Sequence, residues 1–230
     1  MATRFYLPAS GVAAITPSIL TGWSLTTGFT AHPAVRTKSN TTHTNGTPRT
    51  KGSATQPWNR LDRVFVTEQL AAQTLSGNHD VVIRCGESNL AADAWLQFCL
   101  RVVSADGTVQ RGIAYPLNAE TVPSTVVGSN AQEFAVTPAT RLRSNLPMTG
   151  VAVQAGDRLQ FELGYRSSTT NTTYTGTMRY GDQVATADYT VGSANVTTDL
   201  CPFVQTTMDL AFLSVPPNPT PGRFFHVLAG

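Results

Sequence analysis

The sequence predicts an all-β chain: a two-sheet antiparallel β-sandwich of jelly-roll topology, with an extended N-terminal arm and a proline-rich C-terminal tail. Three observations carry this. Apolar residues alternate with polar ones in several separate stretches, the spacing that turns one face of a strand toward a core. Threonine is abundant, and 18 glycines and 14 prolines punctuate the chain; Thr suits strands, while Gly and Pro suit turns. No segment longer than about a dozen residues keeps a helical period. At 230 residues and 41% hydrophobic content the chain can bury a sizeable core as one large domain.

Residues 1–60 read as the arm. Short alternating pieces lie around Phe5–Leu7 and Trp23–Thr27, followed by a polar tract, RTKSNTTHTNGTPRTKGSATQPWN, from Arg36 to Asn59. With hardly an apolar residue before Trp58, that tract cannot bury a face of its own. It is expected as a mobile loop or as an arm ordered on a partner.

Residues 61–214 read as the sandwich. Strands are predicted over Arg63–Leu70, Asp80–Cys85, Ala94–Val103, Val109–Tyr115, Glu133–Thr140, Arg158–Arg166, Thr172–Tyr180 and Phe203–Leu213. The clearest is Arg158–Arg166, where Leu159, Phe161, Leu163 and Tyr165 share one face and Arg158, Gln160, Glu162 and Arg166 share the polar other. That pattern fits a half-buried strand, because a slip of one residue would expose the whole apolar set. Leu96, Phe98, Leu100 and Val102 make a second row; Met208, Leu210 and Phe212 make a third. Turns are signalled at Ser76-Gly77-Asn78, Ala155-Gly156-Asp157 and Ser104-Ala105-Asp106-Gly107, the last between two apolar runs, as in a hairpin. Gly86–Asp93 has room for one short helical turn. The long links at 116–132 and 141–157 favour a jelly roll over a hairpin-only barrel.

Residues 215–230, VPPNPTPGRFFHVLAG, read as a polyproline-II spacer ending in an apolar run from Phe224 to Leu228. Such a run is expected to pack on this domain or on a neighbouring subunit.

Charge excludes some functions. The net charge is +2, charged residues make up 13%, and the only lysines are Lys38 and Lys51; no basic run points to nucleic acid. No stretch reaches the roughly 18 apolar residues of a membrane-spanning helix, and the N-terminus has no signal-peptide core. Cys85, Cys99 and Cys201 are odd in number and lack a CxxC pair, so they read as buried free thiols, with a Cys85–Cys99 bridge as the alternative.

A search for catalytic chemistry finds little. There is no GxSxG elbow, and the four histidines, His32, His43, His79 and His226, are scattered. Asp93, Asp106, Asp157 and Asp182 sit at turns, where an aspartate caps backbone N–H groups. Glu162 lies on a polar strand face, away from any paired acid. No metal-ligand spacing and no phosphate-cradling glycine loop is present, so neither a metal nor another cofactor is expected. On this reading the chain is not an enzyme; a hydrolase would need a His–acid pair brought together in a cleft. Sugar binding would use exposed aromatics as stacking platforms, with Trp23, Trp58, Trp95, Tyr174 and Tyr180 as candidates.

The pieces FYLPASGVAAITPSI, LAAQTLSG, SADGTVQRG and AGDRLQFELGYRSSTTNTTYTGTMRYGD, spread from Arg4 to the start of the last strand, resemble a group of small virion proteins of tailed bacteriophages. The shared features are turns and strand patterns, without an active site, and the proline-rich tail departs from the pattern. The resemblance implies a structural particle component made in the host cytoplasm and located in the virion. An auxiliary (decoration or cement) protein of the capsid is the first expectation; a tail or tail-tip component, or a carbohydrate-binding adsorption module, is the alternative. Its expected partners are other virion proteins and copies of itself. The expected contact residues are Phe5, Tyr6, Trp23 and Trp58 on the arm and Phe224 and Phe225 on the tail.

Overall fold

Leu159, Phe161, Leu163 and Tyr165 do alternate along one strand and all four are buried, but so are Gln160 and Glu162 on the opposite face. The strand is covered on both sides, and the architecture explains how. In the computed structural model, which describes residues 2–24, 29–117, 133–189 and 199–214, the strands are β1 (Thr3–Tyr6), β2 (His32–Pro33), β3 (Thr44–Asn45), β4 (Arg49–Thr50), β5 (Trp58–Val66), β6 (Gln73–Leu75) and β7 (Asn78–Glu87). After a 3-10 turn at Leu90–Ala92 come β8 (Ala94–Val103), β9 (Gln110–Tyr115), β10 (Ala139–Pro147), β11 (Val151–Val153), β12 (Arg158–Ser167), β13 (Thr175–Tyr180) and β14 (Phe203–Thr206). The fold is all-β, as predicted, and every strand pair is antiparallel except the short β2–β5 contact.

One sheet is built on β7. Its one side takes β10; its other side takes β14 against Asp80 and its neighbours and β13 against Arg84–Glu87, with β1 beyond β14 and β3 and β4 beyond β13. The second sheet runs β2-β5-β12-β8-β9, and β11 with β6 makes a small third ladder. The inward faces of the two large sheets share one core. Phe5 meets Phe161 with ring centroids 5.4 Å apart, and Phe65 meets Tyr180 at 5.3 Å.

Both outward faces are covered by the chain's own connections. Over the second sheet, Ile15, Ile19, Leu20 and Trp23 pack on Leu61, Val64, Val66 and Cys99. Over the first, Tyr189 and Leu200 pack on Val82 and Phe203. The described part of residues 1–60, expected as an arm that is mobile or ordered on a partner, is instead held on its own domain: it supplies β1 to β4, and the boundary expected at residue 60 falls inside β5. Its physical reason is that the outward face of the second sheet carries apolar side chains, which the Ile15–Trp23 stretch removes from water.

Turn chemistry follows the sequence. Asp106 accepts from the Ser104 hydroxyl and from the Thr108 N–H and hydroxyl, which holds its carboxyl down at about 2, and Gly107 takes φ +77° to close the β8–β9 hairpin. Most strands lie within a few residues of expectation, and β8 matches it. The Glu133–Thr140 prediction misses: the strand begins at Ala139, because Pro138 has no N–H for a ladder and residues ahead of it make only isolated bridges. Met208, Leu210 and Phe212 reach the core without forming the predicted strand, which stops at Thr206. The three cysteines are free; Cys85 faces the central core and Cys99 the opposite side of the second sheet, so no bridge joins them. The proline-rich tail lies outside the described residues, and no helix among those described is long and apolar enough to cross a membrane.

Candidate functional site

The residues expected to grip a partner are not brought together. Phe5 is 0% exposed, wedged between Phe161 and Phe212 in the central core. Trp23 is 8% exposed on the far side of the second sheet, where its indole N–H donates to Glu162 Oε2 at 2.6 Å. These two are corrected: their surface is used inside the domain, because a large ring gains more from the local apolar face than from remaining in water. Tyr6 and Trp58 are half-buried; the Tyr6 hydroxyl donates to Asp188 at 2.7 Å. Phe224 and Phe225 lie outside the described residues. Among the proposed stacking platforms, Trp23, Trp95 and Tyr180 are buried, and only Trp58 and Tyr174 retain partial exposure.

The structure gathers charged residues that sequence reasoning left apart. Glu162, fully buried, accepts from Arg101, from Gln160 Nε2 at 2.8 Å, from the Leu20 N–H at 3.1 Å and from Trp23. Arg101 also donates to Gln110 Oε1 at 2.8 Å and to the Ser18 carbonyl. Burial pushes the Glu162 carboxyl upward, and the Arg101 guanidinium opposes it. Arg101, Gln160, Trp23 and the Leu20 N–H converge on the carboxylate, and Arg101 and Gln160 also hold the Ser18 carbonyl, so the network fastens the Ser18–Trp23 segment to the sheet. Gly164, in the same strand, has no room for a side chain: a Cβ would stand 2.0 Å from the Arg60 carbonyl oxygen and 2.7 Å from the Trp23 ring.

A second set ties residues 182–189 and 199–201 to the first sheet. Asp188 is met by Arg4 at 2.9 Å, Lys38 at 2.9 Å and Tyr6; Asp199 is met by Arg179 at 2.7 Å and His43 at 3.3 Å. Asp182 accepts from the N–H and hydroxyl of both Ser39 and Thr41 at 2.7–2.9 Å. The His43–Asp199 pair is a His–acid contact that sequence spacing did not reveal, since 156 residues separate its members. Its Nδ1 faces the carboxylate, while Nε2 is buried without a hydrogen-bond partner. Asp157 caps Gln154 N–H at 2.8 Å and meets Arg111 at 3.2 Å. Among the described residues no group of three or more His, Cys, Asp or Glu side chains is placed to hold a metal ion.

An open concave surface lies elsewhere among the described residues. A cleft of about 550 Å³ lies between the N-terminal stretch and the end of β5. Val12, Ala13, Ala14, Pro33, Val35 and Val66 give it an aliphatic lining. Its rim carries Arg36, Glu68 and Arg158. Arg36 pairs with Glu68 and lies 4.0 Å over the Phe212 ring; Arg158 donates to the Thr67 carbonyl at 2.8 Å. Val12 is 73% exposed, held out at the mouth of the cleft. This arrangement suits an apolar or aromatic side chain bordered by guanidinium groups, not the proton transfers of acid–base chemistry.

No protein-family model matches the sequence, and neither does any curated protein. Two solved structures of a CocE/NonD family hydrolase from Staphylococcus aureus are similar in fold, with TM-scores of 0.49 and 0.46 and 10% and 11% identity. The match covers 92% and 93% of this chain but only 36% and 37% of the hydrolase chains. Both neighbours are described as hydrolases, against the expectation that this chain is not an enzyme, and that expectation is not carried further. The likeness, at this level, assigns no activity to the chain and singles out none of its residues.

Proposed function

We propose that this chain is a structural protein of tailed-bacteriophage particles, an auxiliary (decoration or cement) protein of the capsid that works through protein–protein contacts. The observation that carries the reading is the character of the open surface. Several charged side chains on the sheet faces are drawn into internal ties, and the cleft presents an aliphatic lining to solvent. Aliphatic walls with a charged rim are the makings of a contact with protein. The resemblance of the Arg4–Phe203 pieces to small virion proteins supports the same reading. We assign the fold to the jelly-roll class, because the chain changes sheet between β5 and β7, β7 and β8, β9 and β10, and β12 and β13. Partners are then major capsid or tail subunits, and the site of action is the virion.

Mass spectrometry and a cryo-EM map of purified particles test the proposal. A stoichiometric complement of this chain, seated on the head exterior, is the expected result. Density at the tail or tail tip would move it to the alternative position, and absence of the chain from purified particles would refute it.

A further inference from the structure

We infer that the cleft between the N-terminal stretch and β5 is the receptor for the Phe224–Leu228 run of a second copy of this chain. The reading rests on the cleft and not on residence in a particle. Three observations lead to it.

The first is where the described chain ends. Leu213 N–H donates to the Gln69 carbonyl at 3.1 Å, and Phe212 bridges to Leu70. Those residues directly follow Thr67 and Glu68, which line the cleft. The last described residues, Leu213 and Ser214, thus lie beside the cleft rim.

The second is the composition of the chain beyond Ser214. Eight residues, Val215–Gly222, include four prolines and precede Arg223-Phe224-Phe225-His226-Val227-Leu228. At the polyproline-II rise of about 3.1 Å per residue, eight residues can span about 25 Å, a reach long enough to carry the apolar run to a neighbouring copy. The more proline restricts the spacer, the less readily it doubles back to a cleft adjoining its own origin, which favours a neighbour's cleft.

The third is chemical fit. The cleft offers aliphatic walls for apolar side chains, and its rim already stacks a guanidinium on a phenyl ring, Arg36 on Phe212. Arg158 stands on the same rim for an incoming phenyl group, and Glu68 is the acidic counterpart for Arg223. Because tail and cleft are different surfaces, every copy can both give and receive, which closes either a reciprocal pair or a ring.

The test uses the full chain in two surface variants, Val12→Glu/Ala14→Glu in the cleft and Phe224→Asp/Phe225→Asp in the tail. Both should keep the wild-type melting transition, since Val12 and Ala14 are exposed. Wild-type protein should self-associate with concentration in sedimentation equilibrium. Each variant alone should weaken that association about 100-fold, as loss of two buried apolar side chains implies. Mixed together, the variants should form a one-to-one complex and nothing larger, because the tail variant still offers a cleft and the cleft variant still offers a tail. Self-association indifferent to both variants would overturn the inference. So would a wild-type monomer whose tail amides are protected from exchange, since that places the tail on its own cleft. Particle incorporation is scored separately, so a failure here leaves the virion reading standing.

Discussion

Taking the pH from about 7.5 to about 5 should cost this fold about 2 kcal/mol through a single side chain, His79. Its imidazole is 0% exposed, set between the Phe98 ring at 5.0 Å and the Tyr115 ring at 4.7 Å. Neither ring nitrogen has a partner at full hydrogen-bonding geometry, the Leu146 backbone being only a weak neighbour, so protonation would place a poorly compensated charge in the core. Desolvation brings its pKa down from 6.5 to about 4, and the Leu146 backbone opposes this only in part. The unfolded chain therefore takes up the proton first as the pH falls. Stability is complete above the unfolded pKa of 6.5 and is lost as the pH falls toward 4. At about 1.4 kcal/mol per pKa unit the whole window is worth about 3 kcal/mol, of which about 2 has gone by pH 5. Urea unfolding of wild type and His79→Phe across this pH range isolates the effect, because all other groups cancel in the difference. Glu87 is one of them: burial pushes its carboxyl up to about 8, so its contribution is present below 4.5 and lost as the pH rises through 8, the opposite slope. Wild type should fall relative to the variant on acidification. Parallel stability curves would refute the reasoning.

Three other changes report on how the covering segments are held. Arg101→Met should destabilise by about 3–5 kcal/mol, because Glu162 stays buried with its cation removed; chemical denaturation reads it directly. Asp182→Ala should raise amide exchange at Ser39 and Thr41 by at least about tenfold while leaving β12 protected, since each charge-assisted bond lost is worth about 1.5–3 kcal/mol. Gly164→Ala should lower stability by more than about 4 kcal/mol or prevent folding, a Cβ there meeting backbone at 2.0 Å; near-UV circular dichroism would show loss of the packed Trp23.

Much of the fold was legible because the strands announce themselves locally. Ala94–Val103 and Arg158–Ser167 alternate over ten residues, and the Ser104–Gly107 turn carries its own hydrogen-bonding side chains. Capping by Asp106 and Asp157 follows from their turn positions, whereas Asp182, also at a turn, accepts from Ser39 and Thr41 far off in the chain. What local pattern did not carry was the second face of the sheets. Gln160 and Glu162 read as solvent-facing by alternation, yet they are buried, because a segment some 140 residues earlier supplies Trp23 and the Leu20 N–H to them. The Thr44–Asn45 and Arg49–Thr50 strands sit in a tract with no apolar period at all; they exist because β13 offers a free edge. The His43–Asp199 contact and the cleft were equally invisible, each assembled from stretches far apart in the chain.

The sequence by itself determined an all-β chain, the faces its strongest strands turn to the core, and the turns that close its hairpins. These are decided over a few residues by side-chain period and by which backbone angles Gly, Pro and Asp allow. Only the tertiary structure decided that the N-terminal stretch is a lid on its own sheet, that Phe5 and Trp23 are interior residues, and that an aliphatic cleft remains open beside Ser214. Those outcomes depend on which distant surface loses most apolar area to a given segment, a competition settled between parts of the chain and written in none of them alone.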